Sequence, residues 1–363
     1  MPIRILHIVT YMGRGGLETM LMNYYRSIDR TKVQFDFLTH RDFEADYDAE
    51  ILTLGGKIYH LPPLNPFSKG YLSALDRFFA EHPEYRIVHS HLDCMSGIPL
   101  KAAKKHGVPV RIAHAHSTSQ HKDLKYLLKL LYRKTIPQFA THLFACSEAA
   151  GQWMYRKHSF QVLKNAIRAS NYAYCPSVRR RVRAELEITD DEVVVGHVGR
   201  FDAPKNQRFL LEVFQRLPQS FRLLLVGDGE LRNSIEQFAQ ELGVWDRVIF
   251  TGVRADVDHL LQAMDVFIFP SLYEGLGIVA VEAQAAGLPC LISDGVPTAC
   301  IATDTVIQMP LSSGPDRWAS EVMKLLRFPR RDTTEDILCS GFDIEENALW
   351  LENFYQSECR RQN

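Results

Sequence analysis

Short apolar runs alternate with amphipathic stretches along almost the whole chain, in two successive series. Such runs are typical of buried strands, and strands that alternate with helices are typical of parallel sheets covered by helices. Two series therefore predict two doubly wound α/β domains. The runs of the first series are Ile3–Val9, Gln34–Leu38, Lys57–Leu61, Arg86–His89, Val110–Ala113 and His142–Ala145, and those of the second are Val193–Val198, Arg222–Val226, Arg247–Thr251, Val266–Phe269 and Pro289–Ser293.

The break between the series falls between about Asn165 and Asp191, in a stretch that has no apolar run of its own. A chain of 363 residues is also long for one ordinary domain. We expect a first domain over residues 1–170 and a second over 171–341. A helix predicted over Ile344–Tyr355 follows the second series.

Composition excludes several classes of protein. Apolar residues make up 46% and charged residues 23%, as in soluble globular proteins, and a net charge of −1 argues against nucleic acid as the main partner. Seven cysteines without a C-x-x-C pair indicate neither a disulfide framework nor a zinc knuckle and suit a reducing compartment. Ile3–Val9 is too short for a signal peptide, and no run approaches a membrane span. These features predict a cytoplasmic protein and leave contact with a membrane surface open.

Two carboxylates, Glu274 and Glu282, bracket a glycine-bearing turn that follows the predicted strand Val266–Phe269. A strand, a glycine turn and a helix together present backbone N–H groups to a phosphate. Carboxylates do not bind phosphate, so we expect them to bind hydroxyl groups beside it, on a sugar and on a ribose. The segment predicts a nucleotide-sugar site.

Two cations, Arg200 and Lys205, follow the predicted strand Val193–Val198. Ligands of doubly wound folds bind at the carboxyl ends of the strands, where both cations lie. A cationic pair there can neutralise a diphosphate leaving group. The alternative is a solvated surface loop. The presence of the Glu274–Glu282 segment in the same domain favours the ligand site over this alternative.

The glycine loops do not favour a dinucleotide cofactor. Gly15–Gly16 and Gly227–Gly229 each lack the third glycine of the fingerprint, since Met20 and Arg232 stand in its place. Gly15–Gly16 is either a loop through which the backbone approaches a phosphate or a tight strand–helix turn.

Four histidines form two His-x-His pairs, His89/His91 and His114/His116. Alternation places each pair on one face of its strand, so a metal site is conceivable. No cysteine or carboxylate pattern accompanies them, and the favoured interpretation is that one or two line a ligand site while the others are packed.

Asp256-x-Asp258 resembles the D-x-D with which other sugar transferases bind a divalent metal. Here it opens a predicted helix, and because helix N-termini favour aspartate for any function, we interpret it as a cap.

A predicted helix over residues 122–134 carries cations at helical spacing with leucines alongside. It is either a basic amphipathic helix that lies on anionic lipid or an ordinary surface helix. The cluster Arg179–Arg183 is interpreted as a solvated linker helix. The cations of the first helix are Lys122, Lys125, Lys129 and Arg133, and its leucines are Leu124, Leu127, Leu128 and Leu131.

Together these motifs resemble the retaining GT-B glycosyltransferases of family 4, most of all the bacterial branch that builds capsular polysaccharides and exopolysaccharides. The E-x(7)-E element with the Arg/Lys pair is specific, and the other segments support it. The matching segments are Gly15-Gly-Leu-Glu-Thr19, Val88-His-Ser-His91, His114-Ala-His116, Phe144-Ala-Cys-Ser147, Lys164-Asn-Ala-Ile167, His197-Val-Gly-Arg200 with Lys205-Asn206, Gly227-Asp-Gly-Glu-Leu231, Glu274–Glu282 and Ala286-Gly-Leu-Pro289.

The resemblance implies two Rossmann-like domains that face a central cleft, with the C-terminal helix 342–363 packed back on the first domain. It also implies a role for each matching residue. Arg200 and Lys205 hold the donor diphosphate, helped by the Gly15–Gly16 loop. Glu282 binds the ribose hydroxyls and Glu274 the transferred sugar. The remaining implied contacts are His116 near the reacting face of the sugar, Val253 at the base edge, and the amides of Leu276, Gly277 and Ile278 at phosphate or sugar.

The implied activity is retaining transfer of a hexose or N-acetylhexosamine from an NDP-sugar, expected to be a UDP-sugar, without metal or cofactor. The implied acceptor is a saccharide or a polyprenol-linked lipid in capsule or exopolysaccharide synthesis, reached at the cytoplasmic face of the membrane. A non-hydrolysing NDP-sugar epimerase and a catalytically silent NDP-sugar-binding subunit remain alternatives. Ala166 departs from the glycine that the family often has there, a tolerable change unless the backbone requires a positive φ.

Overall fold

The computed structural model describes residues 2–118 and 126–361, which form two compact units. The first unit comprises Met1–Ala166 together with Ile344–Asn363, and the second comprises Ile167–Asp343. The units part between residues 166 and 167, a few residues before the division expected at 170/171.

The first unit contains a seven-stranded parallel sheet with the strand order β3-β2-β1-β4-β5-β6-β7. The order reverses between β1 and β4, where His7 is paired with His89. Ligands of such sheets bind at this kind of switch point, outside the carboxyl ends of the strands. The strands are β1 Ile3–Ile8, β2 Val33–Thr39, β3 Ile58–His60, β4 Ile87–Ser90, β5 Val110–Ala115, β6 His142–Ala145 and β7 Gln161–Val162.

Helices of the first unit connect these strands, as parallel strands require. Buried side chains such as Met20, Tyr24 and Tyr25 form the face of the first helix that packs on the core. The helices are α1 Gly16–Ser27, α2 Asp48–Thr53, α3 Lys69–Glu81, α4 Gly97–Lys105, α5 Tyr126–Arg133, α6 Ile136–Phe139 and α7 Glu148–Tyr155.

The second unit contains a six-stranded parallel sheet with the order β10-β9-β8-β11-β12-β13, which reverses between β8 and β11. Its strands are β8 Val193–Val198, β9 Phe221–Val226, β10 Val248–Phe250, β11 Val266–Phe269, β12 Cys290–Ser293 and β13 Val306–Met309. Its helices are α8 Ala169–Tyr172, α9 Pro176–Glu185, α10 Gln207–Gln215, α11 Arg232–Glu241, α12 Val257–Ala263, α13 Ile278–Ala285, α14 Gly314–Leu325 and α15 Thr334–Cys339.

The last helix, α16 Ile344–Arg361, belongs to the first unit and packs against α1, β1 and β2. Tyr355 is fully buried there, and Glu352 accepts from the backbone N–H of Asp29 at 3.1 Å and pairs with Lys32 at 3.0 Å. These contacts fix α16 on the first sheet.

The fold class is confirmed: both units are α/β with parallel, doubly wound sheets. Two edge strands, β7 and β13, escaped the sequence analysis, because β7 has two exposed residues and β13 is largely half-buried. The interpretation of Arg179–Arg183 as a solvated linker helix is confirmed for Arg180 and Arg181, which are exposed on α9, and is wrong for Arg179 and Arg183. Arg183 is buried and Arg179 is partly buried, and both pair with Asp265, at 3.3 and 2.7 Å.

Within the described residues, no helix combines the length and the apolar character that crossing a bilayer requires.

Candidate functional site

The structure brings Lys205 and Glu274 together at the switch point of the second sheet. Lys205 follows β8, Glu274 follows β11, and the Lys205 Nζ donates to Glu274 Oε1 at 2.6 Å. The side chains are only 20% and 13% exposed, and Nζ also lies 4.8 Å from the centre of the Phe269 ring. A cation and a carboxylate therefore stand side by side where a ligand of this fold is expected.

The two loops that carry this pair are tied to each other. Leu272 N–H donates to the Pro204 carbonyl at 2.7 Å, and Asn206 Nδ2 donates to the Pro270 carbonyl at 3.2 Å. Asn206 lies in the left-handed region at φ 55°, which asparagine tolerates better than most residues and which turns the chain into α10. These bonds hold the loops in register, so the ion pair is positioned by backbone as well as by charge.

Gly277 begins the helix that carries the second carboxylate. Its φ of 81° favours glycine, and a Cβ there would lie 3.0 Å from the Phe269 ring and 3.2 Å from Val296 Cγ1. The first N–H groups of α13 lack partners within the helix and carry partial positive charge. Leu276, Gly277 and Ile278 therefore form a turn suited to an anionic or hydroxyl-bearing ligand.

Glu282 lies on α13 and is 6% exposed. Burial raises the pKa of this carboxyl to about 7, and a hydrogen bond with Tyr172 opposes the rise. Tyr172 ends the helix α8, whose four residues are too few for a periodic pattern, so the sequence does not reveal this contact.

Arg200 is exposed just after the end of β8. The loop that carries Arg200 packs tightly against the loop that follows β9. A Cβ at Gly227 would lie 2.2 Å from the Gly199 carbonyl oxygen, and one at Gly229 would lie 2.5 Å from that of Phe201. The Gly227–Gly229 pair is therefore explained by close packing of two loops beside Arg200.

Val253 is 54% exposed on the loop that follows β10. The preceding Gly252 has a φ of 70° and bridges to Gly227. Val253 thus offers an apolar surface at the carboxyl edge of the same sheet.

The D-x-D opens α12 as predicted, because Asp256 is the N-cap residue and Asp258 lies in the first turn. The Asp256 side chain makes no capping bond, however, and receives two bonds from Arg254, both of 2.7 Å. Those bonds hold the pKa of Asp256 below its usual range. A carboxylate engaged by a guanidinium in this way is a poor metal ligand.

Gly15 and Gly16 of the first unit lie at the carboxyl end of β1. Gly15 is extended at φ −114°, and α1 begins at Gly16. The turn is closed by a bond from Thr19 N–H to the Gly15 carbonyl at 2.8 Å. Neither glycine has a positive φ, so the loop does not need them for left-handed backbone. Ala166 does not have a positive φ either, so alanine in place of the family's glycine causes no backbone strain at this position.

The histidine pairs form one cluster on the first sheet, buried except for the half-buried His116, and a fifth histidine, His7, joins them. His7 escaped attention because it lies inside an apolar run, although register places it beside His89. Two trios have ring nitrogens close enough together to hold a metal ion: His7, His89 and His91, and His91, His114 and His116.

His116 is half-buried at the end of β5. Its backbone N–H donates to Asp93 Oδ1 at 2.8 Å, and its Nε2 lies 2.9 Å from His91 Nδ1. Burial lowers the pKa of His116 to about 3 and raises the pKa of Asp93 to about 6. Asp93, another residue missed from sequence, fixes the backbone at which β5 ends.

Only part of the predicted basic helix lies within the described residues, since Lys122, Leu124 and Lys125 do not. In α5, Leu127 and Leu131 are 73% and 60% exposed. Arg133 is buried: it donates to the Trp153 carbonyl at 2.9 Å and lies 4.8 Å from the Trp153 ring. Its assignment to the basic surface is wrong, and the exposed face of α5 is apolar.

Sequence comparison matches two family models to the chain. The family described as "Glycosyltransferase Family 4" matches residues 14–171, and "Glycosyl transferases group 1" matches residues 178–334. The putative glycosyltransferase EpsF of Bacillus subtilis is 36% identical over 97% of this chain and 96% of its own length. The Escherichia coli UDP-Gal:alpha-D-GlcNAc-diphosphoundecaprenol alpha-1,3-galactosyltransferase is 27% identical over 58% of each chain.

Structure comparison agrees on the fold. The crystal structure of Anabaena HepE in complex with UDP-glucose superposes with a TM-score of 0.82, covering 98% of this chain and 99% of HepE at 19% identity. The sucrose-phosphate synthase of Thermosynechococcus elongatus gives a TM-score of 0.79 at 20% identity, covering 98% of each chain.

Proposed function

We propose, from the premise that this chain belongs to the family 4 glycosyltransferases of the GT-B fold, that it transfers a hexosyl or N-acetylhexosaminyl group from a UDP-sugar with retention of configuration. The acceptor is a saccharide or a polyprenol-linked lipid in exopolysaccharide or capsule synthesis. The observation that carries the proposal is the Lys205–Glu274 pair of 2.6 Å at the switch point of the second sheet.

The second unit supplies the donor site. Lys205 and the exposed Arg200 bind the diphosphate, assisted by the amides at the start of α13, because cations and helix N-termini both attract phosphate. Glu282 accepts hydrogen bonds from the ribose hydroxyls, Glu274 accepts hydrogen bonds from the sugar hydroxyls, and Val253 packs on the base. UDP as the nucleotide is supported by the UDP and UDP-glucose complexes of HepE.

The reaction breaks the bond between sugar C1 and the β-phosphate oxygen and forms a bond from C1 to the acceptor oxygen. The departing phosphate oxygen takes the acceptor's proton, on the face that the leaving group vacates. Negative charge grows on that oxygen, and Lys205 and Arg200 stabilise it. Lys205 holds Glu274 in an ion pair. A carboxylate held in this way is better suited to binding the sugar than to attacking C1 as a nucleophile. These two cations remove the need for a metal ion at the diphosphate.

The first unit supplies the acceptor site, and the Gly15–Gly16 loop and His116, which follow strands of its sheet, are the residues that contact substrate. A lipid-linked acceptor is supported by the name of the Escherichia coli relative, whose substrate is a diphosphoundecaprenol sugar. We place the enzyme at the cytoplasmic face of the membrane, with the exposed Leu127 and Leu131 of α5 as the apolar contact.

The test is to incubate the protein with a panel of NDP-sugars, with and without a polyprenol-linked saccharide, and to measure release of nucleoside diphosphate. We expect release from a UDP-sugar that depends on acceptor and that Lys205→Ala slows by ~10²–10³. An altered sugar that stays on the nucleotide indicates the epimerase instead. Tight UDP-sugar binding without turnover for any acceptor indicates a silent binding subunit.

A further inference from the structure

A buried side chain at the start of α10 holds the backbone of the loop that carries Arg200. Gln207 is the first residue of α10 and is 1% exposed. Its Nε2 donates to the Arg200 carbonyl at 2.8 Å and lies 3.4 Å from Nε2 of His197, a fully buried residue of β8. On its other side, His197 Nδ1 lies 3.0 Å from the Ile268 carbonyl oxygen in β11. The Arg200 loop is thus linked to β11 through two buried side chains.

The surroundings of His197 assign its protons. A carbonyl oxygen only accepts, so the bond to Ile268 requires a proton on Nδ1. Burial lowers the pKa of His197 to about 4, so the ring is neutral in the physiological range. A neutral imidazole has only one N–H, so Nε2 is bare and accepts. His197 therefore has one tautomer, in which each ring nitrogen faces a group that complements it.

The amide of Gln207 has one orientation for the same reason. Two acceptors face its nitrogen, the Arg200 carbonyl and the bare His197 Nε2, and the NH₂ group has two hydrogens, one for each. An amide rotated by half a turn would place its oxygen against both acceptors. The observed orientation leaves Oε1 without a hydrogen-bond partner among the described residues, and buried acceptors without a partner are less rare than buried N–H groups without one.

The His197 ring also lies close to Lys205, the other cation of the loop. A Cβ at Gly199 would lie 3.3 Å from His197 Nε2 and 3.2 Å from Lys205 Cδ, so a side chain at residue 199 would crowd both. Lys205 in turn donates to Glu274, which follows β11. The buried network therefore lies beneath the loop of the two cations, on the side of the strand that leads to Glu274.

We infer that Gln207 is a positioning residue for Arg200, and that His197 fixes the Gln207 amide for this task. The Arg200 carbonyl accepts from Gln207 and from the backbone N–H of Asp202 at 2.9 Å. The two residues that flank Arg200 donate from their backbone N–H groups to carbonyls at the end of β9 and just after it, both at 2.9 Å. Gln207 adds the link toward β11. The binding of donor diphosphate by Arg200 rests on the proposed function, whereas the hydrogen-bonded network does not depend on it.

The competing role for this network is to stabilise the fold alone. Both roles predict that Gln207→Met, which keeps the length of the side chain and removes its donor, lowers the midpoint of urea unfolding. The two roles differ once the Arg200 side chain is removed. If Gln207 acts through Arg200, the two residues are coupled in donor binding, whereas a residue that only stabilises the fold has the same effect in either background.

The test is a double-mutant cycle on the full chain, with UDP affinity measured by calorimetry under conditions in which every variant is folded. We expect Gln207→Met to weaken UDP binding about three- to tenfold, the scale of one neutral hydrogen bond, and to weaken it less than about twofold when Arg200→Ala is also present. Gln215→Met should leave UDP affinity unchanged, because Gln215 ends α10 and donates to the Leu242 carbonyl at 3.1 Å. An equal effect of Gln207→Met in both backgrounds, or no effect in either, overturns the inference.

A second measurement, ¹⁵N NMR of protein labelled at histidine, detects the network without any ligand. The His197 signals are assigned from their loss in His197→Asn, and we expect a protonated Nδ1 and a bare Nε2 whose resonance shifts in Gln207→Met. A protonated Nε2, or no shift in Gln207→Met, overturns the inference whatever the affinity. Wild-type protein that shows the expected His197 state but binds neither UDP nor a UDP-sugar contradicts the proposed function and the donor role of Arg200, and leaves the network established.

Discussion

Lys205 Nζ donates to Glu274 Oε1 at 2.6 Å, so a cation expected to bind phosphate and a carboxylate expected to bind sugar neutralise each other. Glu274 would otherwise repel a diphosphate placed beside it. In the proposed function, Lys205 would therefore have two effects on the donor: it would attract the phosphates and offset the charge of the neighbouring carboxylate.

Lys205→Ala should lower kcat by ~10²–10³, the scale for removal of one preorganised charge-stabilising group. It should also weaken UDP binding in calorimetry, since Glu274 is left uncompensated. Adding Glu274→Gln to Lys205→Ala should recover part of the UDP affinity, because the repulsion is removed. Arg208→Ala, which removes an exposed cation on the adjoining helix, is the control. Equal UDP affinity in the single and double variants would contradict this role for the pair.

Glu282 should make stability depend on pH. Its pKa is about 7 in the folded chain against 4.5 for an ordinary glutamate. The folded state therefore holds a proton that the unfolded state releases, and stability falls as pH rises from about 4.5 to about 7. Above pH 7 the loss of folding free energy caused by ionising Glu282 reaches its full value, about 3 kcal/mol.

Glu282→Gln removes that dependence and should therefore gain stability relative to wild type at pH 8 more than at pH 5, by urea unfolding. Glu241→Gln, at an exposed position on α11, should show no such difference between the two pH values. The same Glu282→Gln effect at pH 5 and pH 8 would rule out a buried, protonated Glu282.

Chelation should not abolish activity, because in the proposed function Lys205 and Arg200 neutralise the diphosphate. Asp256, which is engaged by two 2.7 Å bonds from Arg254, should be replaceable by asparagine with kcat close to that of wild type. Both are checked by turnover in EDTA with and without added Mn²⁺. Complete loss in EDTA that Mn²⁺ restores, together with an inactive Asp256→Asn, would indicate a metal site at the D-x-D.

Binding to anionic membranes should depend on the apolar face of α5 as well as on lysines. Leu127→Ser/Leu131→Ser should reduce co-sedimentation with anionic liposomes, whereas Leu349→Ser, at an exposed leucine of α16, should not. Lys122/Lys125/Lys129→Glu should make residual binding insensitive to salt, since each lysine near such a surface contributes about 1 kcal/mol that salt screens. If all variants co-sediment with liposomes to the same extent as wild type, α5 does not contact the membrane and has only a structural role.

The sequence was sufficient to predict where the proposed donor residues lie because their spacing is local. Glu274, Gly277 and Glu282 lie on one strand–turn–helix segment, and such a segment predicts both a fold and the position of a ligand site. Arg200 and Lys205 were predicted in the same way, at the end of a second strand. Their contact with Glu274 depends on β8 and β11 being neighbours in the sheet, which the order of strands along the chain does not specify.

Residues that act through packing escaped the sequence. His7 lies within an apolar strand, and Tyr172 ends a helix of four residues. Arg133 shares its spacing with three lysines, yet it is buried against Trp153. In each case the deciding fact is which side of an element faces the interior, and that is set by distant parts of the chain.

Retaining transfer is tested most directly by the anomeric configuration of the product. The UDP-α-sugar that gives acceptor-dependent UDP release is used at preparative scale, and the new linkage is read from the anomeric proton and its coupling in ¹H NMR. Attack on the face that the diphosphate leaves predicts an α linkage in the product, formed in equal amount to the UDP released. A β-anomeric proton in the product, or UDP release with no new glycosidic bond, would contradict it.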